Sequence, residues 1–194
     1  MENAKELWLV RHGETEWSKS GRHTGRTDIP LSDAGVRRAQ QLESFLRGES
    51  FSLVLTSPLQ RALETCRLAG YGERAQIDSD LSEWDYGVFE GRKTLEIRAE
   101  IPAWSIWNTD VPGGETIDQV AARADRVIRK AIDAQGHVAL FSHGHVLRIL
   151  AARWLDLPPS DGRLFALDTG AVSVLGYERE TRVVRVWNRP VSAG

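Results

Sequence analysis

The stretch Leu7-Trp8-Leu9-Val10-Arg11-His12-Gly13-Glu14-Thr15 runs from four apolar residues straight into a polar, glycine-bearing turn. Four apolar residues without alternation suit a strand buried on both faces, as in parallel sheets. The switch recurs at Leu53-Val54-Leu55-Thr56, followed by Ser57-Pro58, and at Val138-Ala139-Leu140-Phe141, followed by Ser142-His143-Gly144-His145. Helical periodicity fills the intervals. Ser32 can cap a helix over 33–47 with Val36, Ala39, Leu42, Phe45 and Leu46 on one face. Ser57 as cap and Pro58 at the first helical position predict a helix over 59–68. Thr116 begins the clearest helix, with Val120, Ala124, Val127, Ile128 and Ala131 at helical spacing and Gly136 as its stop. A further helix should follow the Ser-His-Gly-His turn as far as Trp154.

Such alternation predicts an α/β domain: a three-layer α/β/α sandwich around a mostly parallel central sheet. Segments 172–177 and 183–187 read as a terminal hairpin, 76–77 as a short strand, and 94–99 as a short helix. Residues 11–30, 81–91 and the Trp-rich 103–114 read as loops. With no internal repeat or linker, residues 1–194 read as one domain.

Composition narrows the partners. Lys and Arg number 25 against 27 Asp and Glu, a net charge of −2, so the basic excess needed for nucleic acid or an anionic membrane is lacking. Hydrophobic residues at 41% and charged ones at 27% fit a folded chain. The one cysteine, Cys66, excludes a disulfide framework and reads as inert packing. No apolar run approaches the roughly 18 residues of a membrane helix, and no signal peptide is evident, so a cytoplasmic protein is expected.

In parallel sheets, ligands bind beyond the carboxyl ends of the strands, so the residues after Val10, Thr56 and Phe141 should share one crevice. That gathers Arg11 and His12, the segment from Ser57 to Arg61, and His143, Gly144 and His145. Two guanidiniums side by side call for an anion, and their forks match phosphate oxygens. A histidine held neutral among those cations can attack phosphorus. A helix starting near Gly144 would add backbone N–H donors. Other readings stay open at this point: a solvated Arg-His loop, a surface Arg61, or a metal site at His143 and His145, which the lack of nearby ligands disfavours.

At these residues the sequence resembles the histidine phosphatase superfamily, in its phosphoglycerate mutase-like branch. The resemblance runs through Leu9-Val10-Arg11-His12-Gly13-Glu14-Thr15, the stretch Gly25-Arg26-Thr27-Asp28 to Gly35, and Ser57-Pro58-Leu59-Gln60-Arg61-Ala62. It continues through Glu83-Trp84-Asp85-Tyr86-Gly87 to Gly91, Pro112-Gly113-Gly114-Glu115-Thr116 and Ser142-His143-Gly144-His145. It implies His12 as the nucleophile that becomes phosphorylated, with Arg11, Arg61 and His143 holding the phosphoryl oxygens. Glu83 would be the proton donor to the leaving oxygen, and Ser18, Thr24 and Gly25 further substrate contacts. No metal or other cofactor is implied. Glu83 lies in an acidic run, 78–90, with five acids and no Lys or Arg, which reads as a device for keeping its carboxyl protonated.

Two departures separate the sequence from the mutases it resembles. Only about two dozen residues lie between Gly91 and Glu115, where those enzymes carry a longer cover, and Trp17 is followed by Ser18 rather than Asn. The short cover favours transfer to water. The resemblance is nearer to sedoheptulose-bisphosphatase-like enzymes and broad-specificity acid phosphatases. A small phosphorylated substrate is therefore expected, with a cofactor-dependent mutase or a non-catalytic phospho-ligand module as the alternatives. Lys19, Arg22, His23 and Arg26 offer charge for a second phosphate or a carboxylate; Trp104 and Trp107 suit packing more than a pocket wall. His145 could line the rim, and His137 has no evident role. The hairpin and the Trp-rich loop are the surfaces a homodimer would use.

Overall fold

A computed structural model describes residues 5–191. Strands β1 (Leu7–Arg11), β2 (Phe51–Thr56), β3 (Gln76–Ile77), β4 (His137–Ser142), β5 (Val172–Glu178) and β6 (Thr181–Arg189) form one sheet in the order β3-β2-β4-β1-β5-β6. β3, β2, β4 and β1 are mutually parallel; β5 runs antiparallel to β1, and β6 antiparallel to β5.

The lack of alternation in the apolar runs follows from burial on both faces. Leu7 and Leu9 of β1, Leu55 of β2 and Val138 and Leu140 of β4 share one core with α5 (Ile117–Asp133) and α6 (Gly144–Trp154). Val10, Val54, Ala139 and Phe141 join the other core, beneath α2 (Asp33–Leu46) and α3 (Gln60–Leu68). Removing each of the Val, Leu and Phe side chains among these from water contributes roughly 1.5–3 kcal/mol. Cys66 is packed in the second core, and burial pushes its thiol up to about 12, out of reach of ordinary reactivity.

Register brings the strand ends level. Arg11 lies opposite Ser142 and Thr56 opposite Phe141, so the chain leaves β1, β2 and β4 along one line, with β4 in the middle. The first ladder bonds past the strands hold that line: His12 N donates to Ser142 O at 2.9 Å and Ser57 N to Phe141 O at 3.0 Å.

Several local expectations are corrected. The 11–30 segment contains a short helix, α1 (Glu16–Ser20), because Thr15 and Ser18 form a reciprocal cap. Helix α3 starts at Gln60 with Leu59 in the cap position, so Pro58 stands outside it. Ser57 still accepts from Leu59 N, at 3.3 Å, but its hydroxyl mainly meets His143. Helix α5 ends at Asp133, ahead of Gly136. The 81–91 segment includes a single turn at Gly87–Phe89, and the short helix expected over 94–99 follows it as α4 (Thr94–Glu100).

The hairpin is tighter than expected, turning at Arg179-Glu180. Near its end Asn188 adopts a left-handed φ of 53°, where register slips in the β5–β6 ladder. There its amide grips Asp168, donating to Oδ2 at 2.9 Å and accepting from the backbone N–H at 2.7 Å. This bond ties the edge of the sheet to the loop that carries Leu167.

Candidate active site

The strand ends meet as expected. His12 is buried, and its Nδ1 lies 2.7 Å from Gly13 O. A carbonyl only accepts, so Nδ1 carries the proton and Nε2 holds a free lone pair. Burial first, then Arg11 and Arg61, hold the imidazole well below its usual value of 6.5 and therefore neutral. Gly13 is required for close approach: a Cβ there would lie 2.5 Å from Gly35 O in the first turn of α2.

His143 is also fully buried, with its ring centroid 5.1 Å from that of His12. Arg61 Nε donates to its Nδ1 at 3.1 Å, and its Nε2 meets Ser57 Oγ at 2.7 Å. A guanidinium cannot accept, so Nε2 bears the proton. Burial, then Arg61 and His12, keep this ring neutral too.

Arg61 is completely buried beneath the pocket and is heavily engaged. Its terminal nitrogens donate to Thr27 O at 3.1 Å, Thr24 O at 3.1 Å and Gly25 O at 2.9 Å. Glu90 completes a bracket from the other side, accepting from the N–H groups of Gly25 and Thr27. Gly25 is thus placed in a clamped loop rather than on the pocket wall. Arg11 is differently placed: one Nη donates to Leu167 O, and its buried Nε has no partner among the described residues. Around it the pocket is lined by His12, Ser18, Thr24, Glu83 and Gly144, joined by residues to which the sequence reading gave no contact role, among them Tyr86 and Arg148.

Glu83 enters from the 81–91 segment and caps α6. Its Oε1 accepts from Trp84 N at 2.9 Å and Val146 N at 3.0 Å, its Oε2 from His145 N at 3.0 Å. The donors expected of that helix start are therefore used on Glu83. The acidic run does not gather around it. Asp78 and Asp80 pair with Lys130 and Arg126, Asp85 with Arg26, and Glu90 holds the 24–27 loop. Glu115 positions the segment: it accepts from Asp85 N and pairs with buried Arg123, which donates to Ser82 O and Asp80 O.

An aromatic group closes one side. Tyr86 Oη lies 2.6 Å from His145 Nδ1; burial lifts the phenol well above its usual 10 and depresses His145, so Tyr86 donates and both are neutral. His23 packs at a tilt against Tyr86, ring centroids 5.0 Å apart, and Trp107 likewise against His145 at 5.1 Å, while burial lowers His23 to about 4. Trp104 is core, and His137 lies at the far end of β4, accepting from Glu6 N. Arg148 was legible in principle, since it falls one turn after Gly144 on the same face of α6. Among the described residues no three His, Cys, Asp or Glu side chains are grouped as a metal site.

A neutral histidine with a free Nε2, flanked by two arginines at strand ends and faced by a carboxylate, is the arrangement that the Arg-His-Gly resemblance implied. The profile described as histidine phosphatase superfamily (branch 1) matches residues 7–190. The chain belongs to this superfamily. Among its relatives, an acid phosphatase of Mycobacterium tuberculosis is 38% identical over 97% of both chains. A sedoheptulose 1,7-bisphosphatase of Saccharomyces cerevisiae is 36% identical over 77% of this chain and 67% of its own. A solved structure of an open reading frame product from Mycobacterium tuberculosis superposes with a TM-score of 0.91 at 36% identity, covering 98% of this chain and all of that one. This histidine phosphatase is an enzyme, a hydrolase of phosphate monoesters.

Proposed function

We propose that hydrolysis proceeds through a phosphohistidine on His12, with Glu83 as acid and then base. His12 Nε2 attacks phosphorus, the P–O bond to the leaving group breaks, and the leaving oxygen takes a proton from Glu83. The ionised Glu83 then removes a proton from water, whose oxygen displaces Nε2 from phosphorus and releases inorganic phosphate. Arg11 binds the transferring oxygens through its free edge. Arg61 and His143 set the charge and shape of the floor below them. The observation that carries this reading is the His12 tautomer: Nδ1–H is committed to Gly13 O, leaving Nε2 as the attacking atom.

Enzyme incubated with substrate and then quenched in alkali or rapidly frozen should show a phosphoramidate phosphorus signal that is absent from His12→Ala. No such signal from an active enzyme would overturn the mechanism. Turnover should continue in excess chelator; its loss would sink the metal-free route. A bisphosphoglycerate-primed mutase assay should give far less product than the phosphate released. The reading includes residues 1–194 as one domain, a cytoplasmic setting and no nucleic-acid or membrane partner. The charge balance supports it, and no described helix is long and apolar enough to cross a membrane.

A further inference from the structure

Of the loop residues expected to meet a second charged group on the substrate, Arg22 and His23 line the pocket, whereas Arg26 and Lys19 are turned to other uses. Arg26 pairs with Asp85 at 2.8 Å on the surface, and Lys19 lines a neighbouring groove with Arg38 and Glu14. Arg148, from α6, lines the pocket as well. It is fixed along one edge, with Nε donating to Gly162 O at 3.0 Å and Nη2 to Arg163 O at 3.2 Å. Its guanidinium carbon sits 4.6 Å from the Trp107 ring centre. Gly162 permits this stack, since a Cβ there would come within 2.7 Å of Trp107. Its Nη1 has no partner among the described residues, and the side chain lines the pocket together with Arg11 and Arg22.

Charge balance then constrains the ligand. Glu83 is the one acid lining this cavity of about 190 Å³, and three backbone N–H groups already hold it. A phosphoryl group at His12 takes the free edge of Arg11 and leaves the Nη1 edge of half-buried Arg148 without an oxyanion of its own. Burial, then the charge of Arg11, already penalises its guanidinium. A second anion at the far end of the substrate relieves that cost, and the planar fork, rigidly presented, suits an oxyanion. We infer that Arg148 is a specificity-determining residue, which selects compact phosphate monoesters carrying a second anionic group, phosphate or carboxylate. The inference rests on the phosphatase reading above.

A three-carbon series tests it: glycerol 3-phosphate, 3-phosphoglycerate and glycerol 1,3-bisphosphate, with p-nitrophenyl phosphate as a reference lacking a second anion. Wild type should favour one or both doubly anionic substrates by about tenfold or more in kcat/KM, mainly through KM. The preferred member tells carboxylate from phosphate. In Arg148→Ala that preference should shrink by about 10- to 100-fold, with Arg148→Lys in between, because charge survives and the fork does not. A wild type that hydrolyses p-nitrophenyl phosphate but shows no preference overturns the inference alone, without any variant. So does Arg148→Ala losing equally on all four compounds. A wild type that cleaves none of them overturns the phosphatase reading, and the inference with it.

Discussion

Arg61 spends its donors on the protein, on three carbonyls of the 24–27 loop and on Nδ1 of His143. Arg11, on the neighbouring side of β4, gives one Nη to Leu167 and keeps a buried Nε without a partner. In a list of site residues the two look equivalent. One closes the floor of the pocket and fixes the tautomer of a histidine; the other is left open to an incoming oxyanion. Like charges crowded at strand ends can therefore be divided between building the site and using it. The full set of bonds, rather than the residue type, says which is which.

The severest test removes the group that both arginines flank. His12→Ala should reduce kcat by on the order of 10³-fold or more on every substrate. A variant with several per cent of wild-type turnover would remove His12 from its role, and with it the reason for comparing its neighbours. Glu83→Gln comes next. It should cost about 10²–10⁴-fold on alkyl phosphates and far less on p-nitrophenyl phosphate, whose leaving group needs little protonation. Equal losses would argue against Glu83 as the acid.

The arginines themselves should then separate. Arg61→Met leaves three carbonyls and a histidine nitrogen without their donor, at a cost of about 3 kcal/mol or more, so Tm should fall by roughly 6–12 °C. Arg11→Met should change Tm much less while raising KM and weakening competitive inhibition by inorganic phosphate by about 10- to 100-fold. Matching thermal losses in the two variants would erase the distinction.

The mildest effect is in pH. His12 and His143 have folded values well below 6.5, so as pH falls the unfolded chain takes up protons that the folded one refuses. Their stabilising share is intact above 6.5 and declines below it, by about 1.4 kcal/mol per pH unit for each ring until the lowered values are reached. Urea titrations at pH 7.5, 6.5 and 5.5 should show this slope. For the same reason, the acid limb of kcat/KM assigned to His12 should fall below 6.5.

Much of the design was legible because it is local. The unbroken apolar runs marked strands buried on both faces, and the polar residues after them marked the site, including His12 and Arg11, while Glu83 was legible only through the family resemblance. What the sequence hid was partnership across long separations. Nothing near Arg61 announces that its guanidinium reaches back to 24–27. The acidic run gave a local story, shared negative charge, which the structure replaces with four separate attachments, to Lys130, Arg126, Arg26 and a loop backbone. Helix α1 was missed because five residues are too few to show a period; only the Thr15–Ser18 cap betrays it.

Asn188 gives the molecule a timetable. Its grip on Asp168 steadies the loop whose Leu167 carbonyl holds Arg11, so a residue near one end of the chain secures a site that begins near the other. At about 5–20 residues per second, a ribosome needs roughly 10–35 s to travel from His12 to Asn188. Throughout that interval β1 lacks β4 for most of the time and β5 for nearly all of it, the two strands that flank it in the finished sheet. The nucleophile is made well before the residues that complete its anion clamp. The contacts around Arg11 can therefore close only after β5 and β6 have been made and paired onto β1.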